Sequence, residues 1–144
     1  MTEPVGNNQY LTDLDVRIFL RDNNPAANKL LDDYEFTPEE LRTAMTLAVD
    51  AWNERPPLIV RYDYPEFPYR YNLLKGTAAN LLFIVANSYR RNKLNYNIPG
   101  GSIGDQDKAP EYDKAGDNLW KEYLQWIDHM KRALNIEQGF GTIG

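Results

Sequence analysis

At 144 residues the chain has room for one domain with a genuine core, and its 42% hydrophobic and 26% charged residues suit an ordinary globular protein. It has no cysteine, which excludes disulfide frameworks, thiolate nucleophiles and cysteine-held zinc. The formal charge of −5 is unevenly laid out: residues 1–54 hold four basic and eleven acidic side chains, residues 55–95 seven and two, and residues 96–144 five and eight. Unlike patches of this kind attract and steer contact between copies; the plainer alternative is ordinary fluctuation along a chain.

The first ten residues, MTEPVGNNQY, show neither the basic region nor the apolar run of a signal peptide. Thr12 opens a first helix, with Asp13 and Asp15 in the first turn where the helix dipole favours acids. Val16, Phe19 and Leu20 form its apolar stripe. Asn24 and Pro25 start a second short helix with Ala27, Leu30 and Leu31, ending near Asp32 and Asp33.

Thr37-Pro38-Glu39-Glu40 is the clearest helix start. Thr37 caps, Pro38 takes the first helical position, Glu40 completes a capping box, and Phe36 with Leu41 forms a hydrophobic staple. Leu41, Ala44, Met45, Ala48 and Trp52 line one face, and Pro56 and Pro57 end the helix. Residues 58–69 have β-branched and aromatic character, but Pro65 and Pro68 deny them a central sheet position. They read as an extended connector with scope for a short edge strand. Its aromatics Tyr62, Tyr64, Phe67 and Tyr69 look exposed and are candidate interface residues.

Residues 70–94 read as a long core helix. Leu73, Leu74, Ala78, Leu81, Leu82, Val85 and Tyr89 make a wide stripe, which Phe83 and Ile84 extend around the helix. Gly76 marks a close helix crossing. The longest apolar run, Leu81–Ala86, is far short of the ~20 residues of a membrane span. Arg90, Arg91 and Lys93 suit the negative end of the helix dipole. Pro110 and Glu111 start the last helix. There Tyr112, Gly116, Leu119, Tyr123, Trp126, Met130 and Leu134 repeat as a seam, and Gly139 stops it.

Between these two helices lies NYNIPGGSIGDQDK, residues 95–108. As a phosphate loop it fails, because no G-x-x-x-x-G-K-[ST] or G-x-G-x-x-G pattern is present. It is longer than the 2–8 residues typical of a helix connection. Tyr96 and Ile98 before Gly100 and Gly101, with Ile103 after them, suit a two-stranded excursion. A hairpin alone is marginal in water, so this one reads as an arm laid on a neighbour.

Other chemistry is sparse. His129 is the only histidine, and sequence pairs no nucleophile or acid with it. Asp105 and Asp107 lack the pattern of a calcium loop, and no acid lies between Arg70 and Lys93 to build a carboxylate site. Metal-dependent turnover would have to rest on acids such as Asp105, Asp107 or Glu111. Arg90, Arg91 and Lys93 are candidates for non-specific contact with DNA or an acidic patch. A helical DNA-binding regulator would draw on the same residues.

The expected fold is therefore all-α. About five helices pack as a bundle around a central apolar helix at 70–94, with an extended connector at 58–69 and a Gly-rich hairpin-like loop at 95–108. A single domain spans 10–138, with flexible or partner-docking tails at 1–9 and 139–144.

The order of segments resembles the head–tail adaptor, or connector, proteins of tailed bacteriophages. The likeness runs through Leu11 to Asp15, Thr37 to Leu41, Asn53 to Pro57, Tyr71 to Ala79 and Tyr89 to Lys93, then the Gly-Gly excursion and the Tyr112-containing last helix. It covers roughly residues 10–138 and contains no catalytic signature. The resemblance implies a structural virion protein at the head–tail junction, made in the host bacterial cytoplasm. It implies a ring, typically twelve-fold, that binds a portal protein on one side and a neck or tail-completion protein on the other while DNA passes through. No enzymatic activity, cofactor, metal or membrane is implied. In such proteins a loop and the C-terminal segment make ring and portal contacts; here these are 95–108 and 135–144, with Phe140 and Ile143 as candidate contact residues. This tail is short, which weakens the portal part of the correspondence. Alternatives are another tail-completion or baseplate protein and, from a different class, a small helical nucleotide-processing enzyme.

Overall fold

A computed structural model describes residues 10–21, 36–95 and 109–137. The described chain is all-α: α1 (Asp13–Leu20), α2 (Pro38–Glu54), α3 (Arg70–Asn95) and α4 (Ala109–Glu137), with a single 3-10 turn at Tyr64–Glu66. The short helix expected near 25–33, the arm residues 96–108 and both tails lie outside the described residues.

Local chemistry sets the helix starts. Thr12 caps α1 by accepting from the Asp15 amide at 3.2 Å, and the Asp15 carboxylate accepts from the Thr12 amide at 3.0 Å. Thr37 and Glu40 form the same reciprocal box at α2, at 3.1 and 2.9 Å. Pro38 follows the cap, where its missing N–H loses nothing. α1 ends at Arg21, whose φ of 63° is left-handed and whose amide donates back to Arg17 and Ile18.

Packing joins the elements through two adjoining clusters. The first unites Val16 of α1, Phe36, Leu41, Ala44 and Met45 around the start of α2, and Leu81 and Val85 of α3. Phe36 and Leu41 share this cluster, as a staple requires. The second unites Ala48, Val49 and Trp52 of α2 with Phe67, Leu73 of α3, and Tyr123 and Ile127 of α4. α3 touches α1, α2 and α4. It meets α4 closely because Gly76 faces the Tyr123 ring and Gly116 faces Phe83. A Cβ on either glycine would stand 2.8 Å from a ring carbon.

The stripes differ in detail from the sequence pattern. In α1, Val16 is buried and Leu20 half-buried, but Phe19 is exposed. The buried side of α1 runs from Val16 to Arg17 with Leu20 between them, and Phe19 falls about 60° beyond Val16 on the other side. In α4 the buried line is Ala109, Gly116, Tyr123, Ile127 and Lys131, while Trp126 and Met130 are half-buried. A seam drawn through 126 and 130 passes one position to the side of it.

The connector is extended around its 3-10 turn, and it pairs with side chains rather than with another strand. The Trp52 indole N–H donates to the Val60 carbonyl at 2.9 Å. The Asn53 amide donates to the Tyr62 carbonyl at 2.8 Å and accepts from the Tyr62 N–H at 2.9 Å. Two adjacent residues of α2 thus supply the partners a sheet would otherwise provide.

Candidate functional site

The four connector aromatics do not stand out from the surface as the sequence suggests. Phe67 is fully buried, and Tyr62, Tyr64 and Tyr69 are half-buried. The connector folds back over the ends of α2 and α4, where its rings gather on Trp52 and Trp126. Phe67 meets Trp52 edge-on at 5.6 Å, Tyr69 meets Trp126 at 5.1 Å, and Tyr62 meets Trp52 at 5.9 Å between ring centres. Burial, with a smaller contribution from the Tyr62 hydroxyl, pushes the Tyr69 phenol up to about 12. Phe67 is therefore a core residue of the chain's own fold, and the exposed-interface assignment is corrected there.

The basic middle of the chain is also largely answered from within. Arg55 grips Asp128 of α4 with two bonds of 2.9 and 2.8 Å. Arg70 donates to Asp15 of α1 at 2.8 Å. Lys75 lies 3.9 Å from Glu122 and over the Tyr71 ring. Arg90 pairs with Asp113 of α4 and donates to Asn87 at 2.6 Å. Charge that looks available for a neighbour along the sequence is thus partly neutralised within the chain. Arg61 and Arg91 are exposed, and the Lys93 side chain lies outside the described residues.

The pairs shift their members' protonation in the expected sense. Burial pushes the Asp15 carboxyl up, but bonds from the Thr12 backbone and hydroxyl and the Arg70 charge outweigh it, so it sits below its ordinary value. The Asp128 carboxyl is lowered by the Arg55 bond.

Among the described residues, exposed apolar side chains gather in two areas. Around α1, Leu14, Ile18 and Phe19 are 59%, 51% and 47% exposed, and Tyr71 of α3 is 67% exposed. Ile18, Phe19 and Tyr71 border a cleft of about 340 Å³ that Leu11, Asp15, Arg70 and Leu74 complete. On the other area, α2 and α4 form a groove of about 350 Å³ from Leu47, Asp50, Ala51, Glu54, Arg55, Trp120 and Leu124. Leu47 there is 48% exposed. Sequence periodicity missed both areas. Leu14, Ile18 and Leu47 lie outside the stripes that mark cores, and that displacement is the signal that could have found them.

Another cleft, of about 390 Å³ and of mixed polarity, lies between the cis Pro56–Pro57 step and Asp128, Arg132 and Asn135 of α4. His129 is exposed on that helix. Among the described residues no three His, Cys, Asp or Glu side chains gather to hold a metal ion. Glu111 is exposed in the first turn of α4, and Asp105 and Asp107 lie outside the described residues. No described helix is long and apolar enough to cross a membrane.

These features define a protein that is all-α over its described residues and leaves large apolar side chains in solvent. Comparison with protein-family models, with curated proteins and with solved structures finds no match to any of them.

Proposed function

We propose that the chain is a structural virion protein, a subunit of a ring that joins the portal of a phage head to the neck or tail and lets DNA pass. The observation that carries this reading is the row of large apolar side chains, Leu14, Ile18, Phe19 and Tyr71, left in solvent around α1. Contiguous apolar surface rimmed by polar groups is characteristic of protein contact sites. The segment order, with its similarity to head–tail adaptors, supports the same reading.

In this reading α3 is the central helix of the bundle. The arm at 95–108, with Tyr96, Ile98, Gly100, Gly101 and Ile103, reaches an adjacent subunit, and the tail with Phe140 and Ile143 contacts the portal. The neck or tail-completion protein meets the opposite side of the ring. Arg91, exposed at the end of α3, is the candidate for non-specific contact with passing DNA in this reading. Arg90 is less so, because Asp113 already answers its charge.

Electron microscopy of virion necks, with an antibody or tag on the chain, tests the proposal. Label at the head–tail junction is the expected result. Label at another site in the particle, or none in particles, overturns it.

A further inference from the structure

The two exposed apolar areas differ in charge. On α1, Leu14 and Ile18, four residues apart, stand side by side on an eight-residue helix that ends in exposed Arg21. The α2–α4 area is a shallow groove, with Leu47, Ala51, Trp120 and Leu124 as apolar lining and Asp50 and Glu54 on its α2 side. Arg55 at the groove is already held by Asp128. The acids Asp50 and Glu54 therefore set the sign of this groove.

From this complementarity we infer that α1 of one copy lies in the α2–α4 groove of the next, with Leu14 and Ile18 on Leu47 and Leu124 and Arg21 facing Asp50 and Glu54. The occupant is a second copy of this chain. An amphipathic helix seated in a groove between two helices is an established mode of recognition. The two areas share no residue, so the contact is heterologous and leaves each copy one free knob and one free groove. Such contacts continue from copy to copy until the rotation closes a ring. The inference deepens the ring reading above and rests on it for the closure, but not for the contact itself.

The test uses the full chain and two surface variants, Leu14→Glu and Leu47→Glu. Both positions are exposed, so the monomer keeps its fold. A charge placed on an apolar contact should weaken association at least about ten-fold. In sedimentation, the wild type assembles at high micromolar concentration, and each variant alone stays monomeric. Mixed, they form a one-to-one heterodimer and nothing larger, because only one intact knob and one intact groove remain. An Arg21→Glu chain should likewise fail alone and regain association when combined with Asp50→Arg and Glu54→Arg.

Three results would overturn the contact. A monomeric wild type excludes it. Variants that assemble as the wild type does place the interface elsewhere. Loss in Leu14→Glu with none in Leu47→Glu means that α1 packs on α1 or on another protein. None of these outcomes moves the label in the virion neck, so the contact and the adaptor reading fail separately.

Discussion

The Lys131 ammonium of α4 closes the C-terminal end of α2 by donating to the main-chain carbonyl of Trp52, and it donates to the Arg55 carbonyl as well. α2 has no basic residue in its own last turn, and its last carbonyls need donors. Lys131 is fully buried and also lies 5.1 Å from the centre of the Trp52 ring. Burial lowers its ammonium from the ordinary lysine value. A charged residue on the core line of α4 thus acts as the cap of another helix.

Replacing Lys131 by Met keeps most of the stem and removes both bonds. The expected loss is about 2 kcal/mol, from buried carbonyls left without a donor. Lys131→Ala adds a cavity and should cost more. Urea unfolding of the three proteins checks the order; a Met variant as stable as the wild type would remove the capping role.

Gly76→Ala and Gly116→Ala should separate although both glycines are helical. Each substitution gains up to about 1 kcal/mol of helix propensity. At Gly76 the new Cβ meets Cδ2 and Cε2 of the fully buried Tyr123 ring, both at 2.8 Å, and that ring is anchored by its hydroxyl on the Ala48 carbonyl. At Gly116 the new Cβ meets Cε1 and Cδ1 of the half-buried Phe83 ring at 2.8 and 3.1 Å and the Ala79 carbonyl oxygen at 3.2 Å, and that ring, unlike Tyr123, is neither fully buried nor tied down by a hydroxyl. Thermal melts should show Gly76→Ala destabilised by about 1–3 kcal/mol net and Gly116→Ala affected less.

Thr77→Val should stabilise the protein. Among the described residues the Thr77 hydroxyl is buried with no hydrogen-bond partner. A methyl of similar size removes that cost, for a gain of about 1 kcal/mol in chemical denaturation. A loss of stability would show that the hydroxyl has a partner.

Acid should weaken the tie between α1 and α3. The folded Asp15 carboxyl lies below its ordinary 3.8, so the unfolded chain takes up its proton first as pH falls. Its contribution is complete above about pH 5 and is lost progressively as pH drops through 3.8 and then through the lowered folded value. Asp15→Asn removes that contribution. The gap in stability between variant and wild type should shrink between about pH 6 and about pH 3, as read by urea midpoints. A constant gap would assign the Asp15 effect to packing alone.

Much of this architecture was legible along the chain. The Thr37–Glu40 box, the Pro56–Pro57 stop, the face from Leu41 to Trp52 and the span of α3 all depend on residues within a few positions of one another. Gly76 was legible too, because a glycine amid an apolar stripe has few other uses. The surfaces were not. Phe67 reads as exposed beside two prolines, and it is buried because α2 and α4, distant in sequence, meet over it. Residues 55–95 read as a basic excess until α1 and α4 bring Asp15 to Arg70 and Asp128 to Arg55.

The sequence by itself determined the helical class, the helix starts and most of the core face of each helix, because backbone bonding and amphipathic period are local properties. The tertiary structure alone decided which charges cancel, that Lys131 caps a different helix, and that Leu14, Ile18 and Leu47 remain in water. Those outcomes depend on which faces meet across tens of residues, and no short-range pattern encodes that distance.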